Sequence, residues 1–159
     1  ADIELRRRNV RLSHYVAARL PTLLVDPILI EQVLVNLLKN AAESIDPAQR
    51  PAARRTVELR VVPKHVAAQP VVEFSVQDSG AGLAPEVMGR LYEAFFSTKV
   101  EGMGIGLNLC RTIVESHRGR MQAENLYNGL EVSGCRFSFW IPVSSAINPT
   151  ANKNAGVIA

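Results

Sequence analysis

At 159 residues the chain is the size of one domain with a sizeable core, and 47% hydrophobic against 21% charged residues excludes a solvated, unfolded polymer. Its net charge of +3 suits a phosphate-bearing ligand, but the basic residues are too few, and too scattered between Arg6–Arg8, Arg54–Arg55 and the Lys99–Arg120 region, to indicate nucleic acid. Cys110 and Cys135 stand in apolar surroundings with no CxxC pairing, so neither a zinc site nor a redox pair is indicated, and no apolar run reaches the length of a membrane span.

In chain order, ADIELRRRNV (residues 1–9 and the start of the next unit) reads as the end of a helix entering from upstream. RLSHYVAA and TLLVD read as strands. Asp26-Pro27 then supplies an N-cap and a proline at the first helical position. Ile28, Ile30, Val33, Leu34, Leu37, Leu38, Ala41 and Ile45 are expected to keep one apolar face to about Ile45, where Asp46-Pro47 is expected to end the helix. TVELRVVP and VVEFSVQD form a hairpin with KHVAAQ as a longer connection. APEVMGRLYEAF reads as a short amphipathic helix, and Leu107 to His117 as a helix fronted by glycines. RMQAENLYNGLEVSGCRFSFWIPV gives two or three further strands with a turn at Asn128-Gly129, and the tail from Ser144 to Ala159 has no periodicity and is expected to fray. The order predicts an α/β sandwich (α+β): a mixed, mostly antiparallel sheet covered on one face by helices.

The stretch EGMGIGLNLC, Glu101 to Cys110, stacks Gly102, Gly104 and Gly106 at a helix start, although glycine weakens helices. It is either a tight turn or a backbone stripped of side chains so that an anion can rest on free helix N–H groups. It is not a P-loop, because GxxxxGK[ST] is absent, and it lacks the GxGxxG spacing of a dinucleotide fold. DSGAGL, Asp78 to Leu83, is either an ordinary turn or a carboxylate at a sheet end with glycines that admit a flat ring. Asn36 and Asn40 are one helical turn apart, as a hydrogen-bonded buried pair or as amide ligands for a hard cation such as Mg²⁺.

Taken in order, EQVLVNLLKNAAES, QDSGAGL, LYEAFFSTK and EGMGIGLNLCRTIVESHRGRM resemble the N, G1, F and G2 boxes of the catalytic ATP-binding domain of two-component sensor histidine kinases. That domain has the Bergerat fold shared with gyrase B, Hsp90 and MutL, and the wording here is similar to the nitrogen- and oxygen-sensing kinases. The likeness covers residues 10–143; by implication residues 1–9 end a linker helix from a dimerisation domain and 144–159 form a flexible tail.

By this resemblance Asn40 holds Mg²⁺ on the ATP phosphates, with Asn36 nearby and Lys39 approaching a phosphate. Asp78 accepts a hydrogen bond from the adenine amino group, and Gly80 and Gly82 shape its pocket. Leu83 to Glu101 is a mobile ATP lid containing Phe95 and Phe96, with Thr98 and Lys99 as lid contacts. Gly102, Gly104 and Gly106 cradle the phosphates, and Glu43, Leu83, Met103, Ile105 and Leu107 complete the nucleotide site. In hydrolysing relatives a glutamate four residues before the metal-binding Asn activates water; Asn36 fills that place here, which favours kinase over hydrolase. A phospho-accepting histidine is followed by an acidic residue, whereas His14, His65 and His117 are followed by Tyr15, Val66 and Arg118. The acceptor is therefore expected on a separate dimerisation domain.

The implied partners are that domain and, through the full-length protein, a response regulator, with the isolated domain a monomer in the cytoplasm. Rival readings are a nucleotide-binding module that gates a protein contact without transfer, and a true ATPase. Ala94, Arg118 and Cys135 depart from the family pattern, where Pro, Gly and Thr or Ala are common.

Overall fold

The computed structural model describes residues 9–48, 50–88, 103–143 and 156–158. Among them the order is β1 (Arg11–Val16), β2 (Leu23–Val25), α1 (Pro27–Ala48), β3 (Thr56–Val66), β4 (Gln69–Asp78), α2 (Pro85–Met88), α3 (Met103–Ser116), β5 (Arg120–Asn128), β6 (Glu131–Pro142) and β7 (Gly156–Ile158). Five strands form one sheet in the order β1-β3-β4-β6-β5; β1 is parallel to β3 and the other neighbours are antiparallel. This is the mixed, mostly antiparallel sheet that the sequence predicts.

Alternation along β4 decides which face is covered. Val72, Phe74 and Val76 enter the core with Ile30, Val33 and Leu37 of α1 and Ile113 and Val114 of α3. Phe74 stacks on its cross-strand partner Phe139 with ring centroids 4.8 Å apart and planes 11° from parallel, a contact worth about 0.5–1.5 kcal/mol beyond its buried area. The other face is polar: Glu73 pairs with Lys64 at 2.9 Å, and Gln77 accepts from Arg136 at 3.0 Å.

Asp26 caps α1 as expected, its Oδ1 accepting from the N–H groups of Ile28 at 3.1 Å and Leu29 at 3.2 Å. The helix does not stop at Asp46-Pro47 but runs to Ala48, since a proline this close to the end forfeits one hydrogen bond while buried Ile45 still holds the turn to the core. Helix α3 likewise starts earlier than expected, at Met103, which puts Gly104 and Gly106 inside its first turn. It ends in a Schellman motif: the Gly119 N–H reaches the Val114 carbonyl at 3.0 Å and the Arg118 N–H reaches Glu115 at 2.9 Å. Arg118 holds the left-handed position at φ 65°. Glycine is needed at the following residue instead, where a Cβ on Gly119 would fall 2.0 Å from the Trp140 carbonyl.

The β3–β4 connection is shorter than expected. Val66 pairs with Gln69, leaving a two-residue turn in which Ala67 and Ala68 take φ 49° and 67°. Turns of this kind normally carry Asn-Gly, and the alanines hide it from a sequence reading. His65 consequently lies in β3, opposite Pro70, and not in a loop. The β5–β6 turn is Gly129-Leu130, one residue beyond the expected place, and joins two strands. Nor is the tail wholly irregular: residues 156–158 pair antiparallel with β2, Leu24 opposite Val157.

Candidate functional site

Helix α1 brings the proposed elements together. Asn36 and Asn40 follow one another along it, Asn36 half-buried and Asn40 only 8% exposed. Asn36 is in hydrogen-bonding contact with the Cys110 thiol of α3, and its Oδ1 lies 4.0 Å from where a Cβ on Gly106 would stand. The Asn36 turn of α1 therefore faces the first turns of α3, where helix N–H groups have no intrahelical acceptor. Asn40 differs: the described residues offer its buried amide no hydrogen-bond partner. A buried amide without a partner is costly, which points to something beyond the described protein atoms.

At the far end of the same face, Ser44 abuts the loop after β4. A Cβ on Gly80 would fall 2.4 Å from Ser44 Oγ and 2.6 Å from the Ser44 carbonyl oxygen. The expected pocket-shaping Gly80 is thus, first, the residue that lets this loop touch α1. Asp78, 5% exposed at the end of β4, accepts the Gly80 N–H at 2.8 Å, which fixes its carboxylate toward the loop it begins. Gly82 is left-handed at φ 77°, and a Cβ there would strike Val132 at 2.5 Å. Lys39 is exposed and Glu43 half-buried on α1. Leu107 of α3 lies in the hydrophobic core, against which Leu83 also packs, so its side chain holds the helix to the sheet and not to a ligand surface. Met103, Gly104 and Ile105 form the first turn of α3. Phe95, Phe96, Thr98, Lys99 and Gly102 lie outside the described residues.

The geometry adds residues that sequence reasoning missed. Asn125 on β5 grips the Leu83 backbone from both sides, its Oδ1 accepting the N–H at 2.8 Å and its Nδ2 donating to the carbonyl at 2.7 Å. Arg50 donates to three carbonyls, Ser79 at 2.9 Å, Gly80 at 3.1 Å and Val132 at 2.9 Å. Ser79 is further tied to Thr56, whose N–H reaches Ser79 Oγ at 3.0 Å. Gly134 permits the strand approach beneath Asp78, since a Cβ would fall 1.9 Å from the Asp78 carbonyl oxygen. No short motif announces these residues; each acts on backbone far away in sequence.

Both thiols are buried and free. Burial pushes Cys110 up to about 11, with the Asn36 side chain acting the other way. Burial also pushes Cys135 up to about 12, helped by the negative charges of Asp78 and Glu124. Neither is a nucleophile at neutral pH.

A sandwich with an asparagine helix lying between a buried aspartate loop and a glycine-fronted helix defines a class of nucleotide-handling domain. The model of the family "Histidine kinase-, DNA gyrase B-, and HSP90-like ATPase" matches residues 25–145, and the chain belongs to this family. It is 39% identical over 139 residues to the sensor protein FixL of Bradyrhizobium diazoefficiens, covering 87% of this chain and 25% of that protein. It is 41% identical over 116 residues to the C4-dicarboxylate transport sensor protein DctS of Rhodobacter capsulatus, covering 73% of this chain and 17% of that one. Among solved structures it is similar to full-length ShkA in complex with AMPPNP, at TM-score 0.70 and 25% identity over 92% of this chain and 28% of that one. The catalytic domain of the histidine kinase ThkA superposes at TM-score 0.67 and 27% identity, over 89% of this chain and 84% of that domain. The chain spans a quarter or less of the two sensor proteins. No helix among the described residues is long and apolar enough to cross a membrane.

Proposed function

We propose that this chain is the ATP-binding catalytic domain of a two-component sensor kinase, which places the γ-phosphoryl group of Mg-ATP before a histidine on a separate dimerisation domain. A response regulator then receives the phosphoryl group from the full-length protein. The observation that carries this reading is the span of α1 between Ser44 at the Asp78–Gly80 loop and Asn36 at Gly106 of α3. Eight residues of helix cover about 12 Å, the reach of a nucleotide from its base to its phosphates.

In this arrangement buried Asp78 accepts from the 6-amino group of adenine. Guanine presents a carbonyl oxygen there, which leaves the carboxylate facing another acceptor and typically costs 1–3 kcal/mol or more. The N-terminal N–H groups of α3 receive phosphate oxygens, and the glycines keep side chains out of their way. Among the described residues no His, Cys, Asp and Glu cluster could hold a metal, whereas the unpartnered amide of Asn40 suits a hard cation shared with phosphate. Asn40 would hold Mg²⁺, which supplies charge neutralisation to the phosphates. Asn36 has no basicity at neutral pH, so the site lacks a base for water at that position, and Lys39 is free to swing from the surface toward a phosphate. Reduced thiols and ATP use both fit a cytoplasmic location.

The test is calorimetric titration of the chain with ATP and with GTP, each with and without Mg²⁺, followed by a phosphate-release assay. Magnesium-dependent ATP binding, rejection of GTP and little released phosphate are expected. Brisk phosphate release would make the domain an ATPase, and absence of binding would overturn the proposal.

A further inference from the structure

The loop that carries the proposed base-reading carboxylate is short of its own hydrogen bonds. From Ser79 to Ala84 it has no helix or strand ladder, and Gly80 is pressed against α1. Its backbone oxygens must find partners elsewhere, because a partly buried carbonyl left without one is unfavourable. Arg50 supplies them. Its Nε–H donates to Ser79, and one terminal nitrogen donates to both Gly80 and Val132.

We infer that Arg50 is a positioning residue for nucleotide recognition: its guanidinium fastens the Ser79-Gly80 backbone to β6 and so sets the direction of the Asp78 carboxylate. The inference rests on the reading of Asp78 given above. The coupling is direct, for the Ser79 carbonyl that Arg50 Nε holds at 2.9 Å and the Gly80 N–H that binds Asp78 Oδ1 at 2.8 Å belong to one peptide group. Moving that peptide moves the hydrogen bond that orients the carboxylate. Asn125 secures the other end of the loop at Leu83, so the two side chains pin it at both ends. Arginine is suited to the task because its planar fork presents several donors at fixed angles and never loses its charge. A lysine would reach one carbonyl and leave the others to water.

Arg50 touches no base atom in this scheme, so the decisive readout is selectivity and not affinity alone. The chain, Arg50→Gln and Arg50→Lys would each be titrated with ATP and with purine riboside triphosphate, which carries a hydrogen where ATP has its 6-amino group. The original chain is expected to prefer ATP by roughly tenfold, the value of one good hydrogen bond to a charged acceptor. In Arg50→Gln the ratio is expected to fall toward one, with Arg50→Lys in between. Partial unfolding lowers the active fraction for both nucleotides alike and leaves the ratio untouched, so a structural effect is told apart. If Arg50→Gln does not fold, Arg50→Lys decides on the same ratio. A ratio retained in the variants would overturn the role of Arg50 while leaving the Asp78 reading intact; a ratio near one in the original chain would overturn the Asp78 reading itself.

Discussion

His117 Nε2 accepts the backbone N–H of Asp26 at 3.0 Å, while His117 Nδ1 lies 2.8 Å from the Ile113 carbonyl oxygen. An amide N–H only donates and a carbonyl only accepts, so the ring is held as the neutral Nδ1–H tautomer. One imidazole thereby joins the end of α3 to the residue that caps α1, the two helices that frame the candidate site. His117→Ala is expected to lower stability by about 1–2 kcal/mol, the usual loss for stranding partly buried polar groups. A urea denaturation series checks this, with a shifted midpoint and an unchanged slope expected. An unmoved midpoint would mean that water serves both groups equally well.

The Ala67-Ala68 turn offers a gain. Left-handed backbone costs an L-residue about 1–2 kcal/mol, and both alanines adopt it. Replacing the pair by Asn-Gly relieves that strain, offset in part by the greater freedom of glycine in the unfolded chain. We expect Ala67→Asn with Ala68→Gly to stabilise the chain by about 1 kcal/mol, measured by thermal melting. Nucleotide affinity should not change, since this turn lies at the end of β4 opposite Asp78.

The same turn shows where sequence reading stops. Strands, the capped helix α1, the covered sheet face and the pair of buried thiols are legible because periodicity and the Asp26-Pro27 signal report local physics. Ala67-Ala68 is a tight turn enforced by the pairing of β3 with β4, and nothing in the two residues announces it. Asp78, Asn36 and Asn40 are legible as chemistry out of place in their elements. Arg50 and Asn125 are not, because an arginine in a loop and an asparagine in an edge strand are ordinary until the fold brings a distant backbone within 3 Å. Gly80 is legible as a glycine that either a turn or a ligand pocket would use, but the clash that requires it is with Ser44 of α1, which only the packing reveals.

The buried thiols make stability fall at high pH. Cys110 is pushed up to about 11 and Cys135 to about 12, from an ordinary 9.0. Above about pH 9 the unfolded chain sheds thiol protons that the folded chain keeps, so folding loses ground as pH rises through the folded values; below that, both states hold the protons and the thiols contribute no pH dependence. Urea midpoints measured from pH 8 to 11 should decline less steeply in a Cys110→Ala, Cys135→Ala variant than in the original chain. Equal slopes would show that both thiols reach solvent in the folded state. Native chain should also resist alkylation by iodoacetamide at pH 8, with both cysteines labelled only after unfolding.

Asp78→Asn keeps the size of the side chain and an oxygen for the Gly80 N–H, but replaces the second acceptor by an NH2 donor. If the carboxylate reads the adenine amino group, ATP affinity is expected to fall at least tenfold, consistent with the loss of a charge-assisted hydrogen bond. The melting temperature is read in parallel, and removing a negative charge beside the Cys135 thiol should not lower it much. Near-normal affinity in Asp78→Asn would remove Asp78 from the base site.

Two glycines separate folding from binding. At Gly134 a Cβ would fall 1.9 Å from the Asp78 carbonyl oxygen and 2.9 Å from its carbon, both backbone atoms that cannot swing aside. Gly134→Ala is therefore expected to lose about 3 kcal/mol or more, as overpacking against main chain does. At Gly106 the nearest heavy atom to a new Cβ is Asn36 Oδ1, 4.0 Å away, ordinary contact distance. Alanine there removes a helix-weakening glycine, so Gly106→Ala should hold or raise stability by about 0.5–1 kcal/mol. The same methyl group would stand between Asn36 and the first turn of α3, where the phosphates are proposed to lie. ATP affinity in Gly106→Ala is accordingly expected to drop by about an order of magnitude while the melting temperature holds or climbs. A variant that is both more stable and binds ATP normally would place the phosphates elsewhere and leave the glycine as a residue the helix merely tolerates.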